Sequence, residues 1–144
     1  MKKISVLLIA FVTLAFSSCS SDDNENSTAS IVGKWEYTQT GEVIDGVEVL
    51  ETYNHTAGCN KDHMEFKSNG TFDDVWYSNG VSGCISENDP GTWTKNGTTI
   101  TTTYGGQDPE EGEILILNET TLKVRFVDTS EGMTETYVTV LTRQ

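Results

Sequence analysis

The chain has 144 residues, with nine Lys or Arg against 22 Asp or Glu and a formal net charge of −13. An acidic surface of this strength repels nucleic acid and anionic membranes, which excludes a phosphate-backbone binder. Three cysteines and two histidines are the only thiol and imidazole groups available for nucleophilic or metal chemistry.

Lys2 and Lys3 open the chain, Ile4 to Phe16 is almost wholly apolar, and Ser17 and Ser18 precede Cys19. A charged start, a short apolar run and small residues at the end make a secretory signal. The apolar run is shorter than the roughly 20 residues that cross a bilayer. Phe16-Ser17-Ser18-Cys19 resembles the lipobox of bacterial lipoproteins, with Phe where Leu is usual. The resemblance implies a signal peptide over residues 1–18 and a lipidated Cys19, carrying a thioether-linked diacylglycerol and an amide-linked third chain. Two or three acyl chains hold firmly, at about 0.8 kcal/mol per buried methylene. Cleavage by the ordinary signal peptidase, leaving Cys19 as a free thiol, is the alternative.

Residues 19–30 contain no large apolar side chain and are expected to form an acidic, disordered tether. Ser21-Asp22-Asp23-Asn24-Glu25 resembles the surface-export signal of some Gram-negative lipoproteins. It implies lipid anchoring in the outer membrane with display at the cell surface; a solvated linker facing the periplasm is the alternative. Removing residues 1–18 deletes two lysines and no acid, so the net charge becomes −15. Residues 31–144 are then one domain, large enough to bury a core.

Beyond residue 30 the pattern is of strands and turns. Trp35 and Tyr37 alternate with polar neighbours, as do Val47, Val49 and Tyr53, and Met64 with Phe66. Ser68-Asn69-Gly70 is a turn, and Phe72, Asp74 and Trp76 share one side of the return strand. Trp93 anchors Thr92 to Lys95, and Asn96-Gly97 reads as a two-residue type I′ hairpin turn. Ile100, Thr102 and Tyr104 follow, then the apolar run Ile114 to Leu117, then Leu122, Val124 and Phe126. The last run places Tyr137 and Leu141 on one face and Val138 and Val140 on the other. Eight or nine short strands without an amphipathic helix predict an antiparallel all-β barrel or sandwich. Cys59 and Cys84 are an even pair expected to form a disulfide in an oxidising compartment.

Ile31-Val32-Gly33-Lys34-Trp35 carries Gly-x-Trp on the first strand. It is followed by Cys59, Met64-Glu65-Phe66, Ser68-Asn69-Gly70-Thr71-Phe72, Cys84, Gly91-Thr92-Trp93 and Leu122-Lys123-Val124. This order resembles the small lipocalin-like domains of bacterial lipoproteins, over residues 31 to 144. It implies an up-and-down eight-stranded barrel with the tryptophan closing its base, and a small hydrophobic ligand inside. The sequence ends on a strand, without the helix that follows the barrel in larger lipocalins. An eight-stranded barrel is only just wide enough to be filled by side chains or to hold one small ligand.

The candidate interior wall is Trp35, Tyr37, Met64, Phe66, Phe72, Trp76, Trp93, Tyr104, Phe126 and Tyr137. Aromatic walls suit an apolar ligand, although the same residues could simply be core. No catalytic constellation is found, so no enzyme is expected. His55 and His63 fit no Ser-His-Asp or Cys-His context and read as surface polar residues. Asp73 and Asp74 are strand neighbours pointing to opposite faces, so they cannot act as a pair. Glu87-Asn88-Asp89 and Gln107-Asp108-Pro109-Glu110-Glu111 offer oxygen ligands, but neither matches a spaced calcium loop. No metal or cofactor is expected. The alternative to a binding module is a filled barrel whose outer loops contact another envelope protein or a glycan. Ligand identity, partner and oligomeric state are not legible in the sequence.

Overall fold

A computed structural model describes residues 29–129 and 134–144. The expected signal peptide over residues 1–18, Cys19 and most of the expected tether lie outside the described residues. Within them the chain forms nine strands: β1 (Gly33–Ile44), β2 (Val47–Thr52), β3 (His63–Phe66), β4 (Thr71–Gly80), β5 (Gly83–Asn96), β6 (Thr99–Tyr104), β7 (Glu110–Leu117), β8 (Thr121–Asp128) and β9 (Glu135–Arg143). All pairings are antiparallel, and β9 pairs back onto β1.

The nine strands make an eight-stranded barrel because β2 and β3 share one edge of β1. Gly33 to Glu36 pair with β3, whereas Gln39 to Ile44 pair with β2. Between them the 53–62 segment replaces the missing ladder with backbone and side-chain hydrogen bonds. Tyr37 N–H donates to the Asp62 carbonyl (3.2 Å) and Tyr53 N–H to the Thr38 carbonyl (2.9 Å). His55 Nε2 bonds the Tyr37 carbonyl (2.8 Å), and its Nδ1 accepts from Asp62 N–H (3.0 Å). A carbonyl only accepts, so this geometry fixes the tautomer with its proton on Nε2. On the other side, Asp62 Oδ1 accepts from Tyr77 N–H (2.7 Å), and Thr56 Oγ1 donates to the Tyr77 carbonyl (2.6 Å). His55 and His63 are therefore not surface residues, contrary to the sequence reading. The His55 side chain is 8% exposed within the gap, and His63 is buried with Nδ1 on the Lys61 carbonyl.

The β5–β6 turn also differs from expectation. Asn96 pairs with Thr99, so Gly97 and Thr98 are the central residues. Asn96 stays in the strand, and of the two central residues only Gly97 has positive φ (59°). A glycine first in the turn is the type II′ pattern, not I′. Type I′ occurs instead between β1 and β2, where Asp45 (φ 51°) and Gly46 (φ 79°) are both left-handed.

The alternation read from the sequence places the core. Phe66, Phe72, Ile100, Leu122 and Leu141 point inward and are buried. In β7 a register shift between Ile114 and Ile116 breaks the alternation, so Leu117 is buried and Ile116 is exposed. The disulfide Cys59–Cys84, with Cα atoms 5.6 Å apart, ties the 53–62 segment to β5. Residues 83 to 90 of β5 are exposed throughout, and only from Gly91 onward does this strand pair with β6. Pro90, without an N–H, is tolerated on that open edge.

Candidate functional site

One end of the barrel is sealed. Trp35 is 0% exposed, and its Nε1 donates to the Ile31 carbonyl at 2.7 Å. The Arg143 guanidinium lies over the indole, 4.1 Å from its centroid. From there it donates to the carbonyls of Ser30, Val32 and Glu119. The short segment before β1 is thereby folded under the barrel, with Ile31 buried against the tryptophan.

Above this floor lies a cavity of about 240 Å³. Phe66, Ile100, Leu122 and Leu141 form its lower wall; Tyr37, Met64, Thr102, Val124 and Thr139 its middle; Tyr104, Glu110, Phe126 and Tyr137 its upper part. Six of the ten residues named from the sequence thus meet at the cavity: Tyr37, Met64, Phe66, Tyr104, Phe126 and Tyr137. Of the other four, Trp35, Phe72 and Trp93 pack around it, and Trp76 does not line it. Trp35 forms the floor. Phe72 is fully buried, with its ring edge-on to Tyr104 (centroids 5.0 Å). Trp93 packs T-shaped on Phe66 and donates from Nε1 to the Lys67 and Thr71 carbonyls. Trp76 reaches Glu87 Oε2 (3.1 Å) on the exposed β4–β5 hairpin.

The polar feature of the wall is Asp74, buried on the inner side of β4. Its Oδ1 accepts from the Tyr37 hydroxyl and its Oδ2 from the Tyr104 hydroxyl, both at 2.9 Å. Burial pushes the Asp74 carboxyl above its usual value, against the opposing pull of the two phenol donors. Burial, and then the Asp74 charge, push both tyrosines up in turn. At the mouth, burial and the nearby Glu110 carboxylate push Tyr137 up to about 12. Asp73 faces the other way and pairs with Lys67, which holds its carboxyl below the usual value.

Sequence reasoning did not single out Asp74 as the partner of Tyr37 and Tyr104, nor Glu110 as a lining residue. The inward position of Asp74 was visible in its alternation with Phe72 and Trp76. Its partners come from β1 and β6, a contact that no local pattern carries. Glu87, Asn88 and Asp89 lie within β5, with side chains on alternating faces. Among the described residues no group of three His, Cys, Asp or Glu is placed to hold a metal ion.

The sequence model of the lipocalin-like domain matches residues 31–124. An uncharacterised protein of Bacteroides eggerthii shares the fold with a TM-score of 0.52 and 15% identity, over 78% of this chain and 98% of that one. Bovine odorant-binding protein, solved with a selenium-containing odorant, aligns with a TM-score of 0.45 and 15% identity, over 78% of this chain and 72% of its own. A dog lipocalin allergen gives 0.46 and 12%, over 79% and 74%. Comparison with the sequences of curated proteins finds no match.

Proposed function

Because the chain belongs to the lipocalin-like domain family, we propose that it holds a small hydrophobic ligand in its barrel, outside the cytoplasm, tethered by lipid on Cys19. The cavity carries the binding reading. Its volume, about 240 Å³, exceeds the roughly 150 Å³ that suffices for benzene in a dry Leu/Ile/Phe pocket. Burial of the ligand against Ile100, Leu122 and Leu141 supplies the driving force, at roughly 25 cal/mol per Å² of apolar surface. The lipobox-like Phe16-Ser17-Ser18-Cys19 supports the anchor, and the Cys59–Cys84 disulfide suits an oxidising compartment.

Displacement of a polarity-sensitive dye from the full chain by small neutral aromatics tests the binding reading. Thr139→Trp, which puts an indole into the lumen, is expected to abolish dye binding while the protein still unfolds cooperatively. Dye binding unchanged by that substitution places the dye elsewhere and refutes the lumen as the site. For the anchor, the intact mass of membrane-extracted protein is expected to show acyl chains, which Cys19→Ser removes.

One observation favours a second reading, an interaction module. Ile44, Val47 and Val49 on the β1–β2 hairpin and Val81 and Ile85 on β4–β5 are exposed large apolar residues at the open end. Such a rim suits contact with another envelope protein. Failure of every small molecule to displace the dye, together with loss of a co-purifying partner on Val81→Glu, would favour that reading.

A further inference from the structure

Two of the tyrosines that meet the lumen, Tyr37 and Tyr104, can only accept hydrogen bonds from a ligand. A phenol carries one proton. Tyr37 and Tyr104 commit theirs to Asp74, and Tyr137 stands with Glu110 in the upper wall. What the Tyr37 and Tyr104 oxygens have left for a ligand is lone pairs. Thr102 and Thr139, whose hydroxyls can both give and take, are the remaining polar lining.

Charge points the same way. Among the described residues, Glu110 is the one charged residue lining the cavity, and no Lys, Arg or His lines it. Behind Tyr37 and Tyr104, Asp74 adds a second acidic group, with Asp89 opposite it on β5. Phe126 and Tyr137 stack at 5.3 Å beside Glu110 and offer aromatic faces, which attract cations.

Size limits the apolar part. Scaling from benzene in about 150 Å³, this cavity holds about ten non-hydrogen atoms, which is one aromatic ring and a short chain.

We propose that the lumen selects a single-ring amphiphile bearing a protonated amine, with its ring among Ile100, Leu122 and Leu141 and its ammonium at Glu110 and the Tyr104 and Tyr137 oxygens. This rests on the reading that the lumen holds a ligand, and it names the class. An ammonium offers donors only, which matches a wall of acceptors, and its charge is opposite to that of Glu110. A carboxylate of the same size would meet like charge at Glu110 and find donors only in hydroxyls, those of Thr102, Thr139 and Tyr137.

The test is calorimetric titration of the full chain with three probes sharing one apolar body: 3-phenylpropylamine, 3-phenylpropanol and 3-phenylpropanoate. The amine is expected to bind at least tenfold tighter than the carboxylate and several-fold tighter than the alcohol. Glu110 is exposed at the start of β7, so Glu110→Gln leaves the fold intact. This substitution is expected to bring the amine to within about threefold of the alcohol, whose own affinity stays unchanged. Glu119→Gln, at the sealed end, removes the same net charge and is expected to leave the series as it was. A carboxylate that binds as well as the amine overturns the proposal, and so does a series indifferent to Glu110→Gln. Alcohol binding without any preference for the amine overturns the amine selection but leaves the lumen reading standing. No binding by any of the three overturns the lumen reading itself.

Discussion

Trp35→Phe tests whether the barrel is sealed at its base as described. The indole N–H is the buried donor for the Ile31 carbonyl, at 2.7 Å. Phenylalanine removes the donor and leaves that carbonyl unsatisfied, which costs about 1–3 kcal/mol. The smaller ring leaves a void in a site that is 0% exposed, adding about 1 kcal/mol. The Arg143 guanidinium, 4.1 Å above the indole, keeps an aromatic face beneath it and loses only a few tenths. Together these cost about 2–4 kcal/mol, a large part of the roughly 5–15 kcal/mol that holds a domain together. Urea unfolding followed by the fluorescence of Trp76 and Trp93 measures the loss directly. In a domain of about 100 residues the melting temperature should fall by on the order of 10 °C or more. Hydrogen exchange should at the same time show Val32 to Lys34 losing protection, because the segment under the floor is held by the same contacts. A midpoint within about 0.5 kcal/mol of the parent, with an unchanged slope, would refute the floor as drawn.

Three further outcomes are expected. Replacing Cys59 and Cys84 together by serine opens a 25-residue loop and should cost about 3 kcal/mol in urea, as should reduction of the parent; equal midpoints with and without reductant would contradict this. Gly91→Ala puts a Cβ 2.4 Å from Phe72 Cζ and 2.6 Å from the Thr103 carbonyl, beside a fully buried ring that cannot retreat, so about 1–3 kcal/mol is lost to overpacking. A loss below about 0.5 kcal/mol would mean the ring has room. Asp74→Asn is expected to change the pH dependence. The folded Asp74 carboxyl sits above its usual value of 3.8, so the folded state keeps a proton in a window that starts at 3.8 and ends at the raised value. Parent stability attributable to this group therefore grows as pH falls through the window and is complete below 3.8. The asparagine variant lacks this gain, so its stability relative to the parent should be highest at neutral pH and fall toward pH 4. Asp73, shifted the opposite way by Lys67, is present in both proteins and cancels. A gap constant with pH would show that Asp74 is not desolvated.

Much of the barrel was legible because a half-buried strand leaves a period-two trace. Leu122, Val124 and Phe126 alternate against Lys123 and Arg125, and in the structure the first three face inward. Gly-x-Trp located the floor through its resemblance to the first strand of lipocalin-like barrels, and Trp35 is indeed fully buried there. What was not legible depends on three-dimensional closure. The arm of β5 from Gly83 to Pro90 looks like loop because it is exposed on both faces and nothing imposes alternation on it. His55 looks like a surface residue because its role is to stand in for a ladder interrupted between β2 and β3. The cavity is the hardest case. Alternation says which side chains point inward, but whether they meet in the middle depends on strand tilt and register around the whole ring.

The placement of the first described residues orients that cavity. Ser30, Ile31 and Val32 are held under the barrel by Trp35 and Arg143, so the chain before them leaves from the sealed end. The mouth, with Glu110, Phe126 and Tyr137, lies at the opposite end. On the proposed reading a ligand enters past Glu110, Phe126 and Tyr137, which a cationic one-ring molecule does more readily than an anionic acyl chain. The floor that closes the barrel and the acceptors that line its lumen are set by different residues, at opposite ends of the fold.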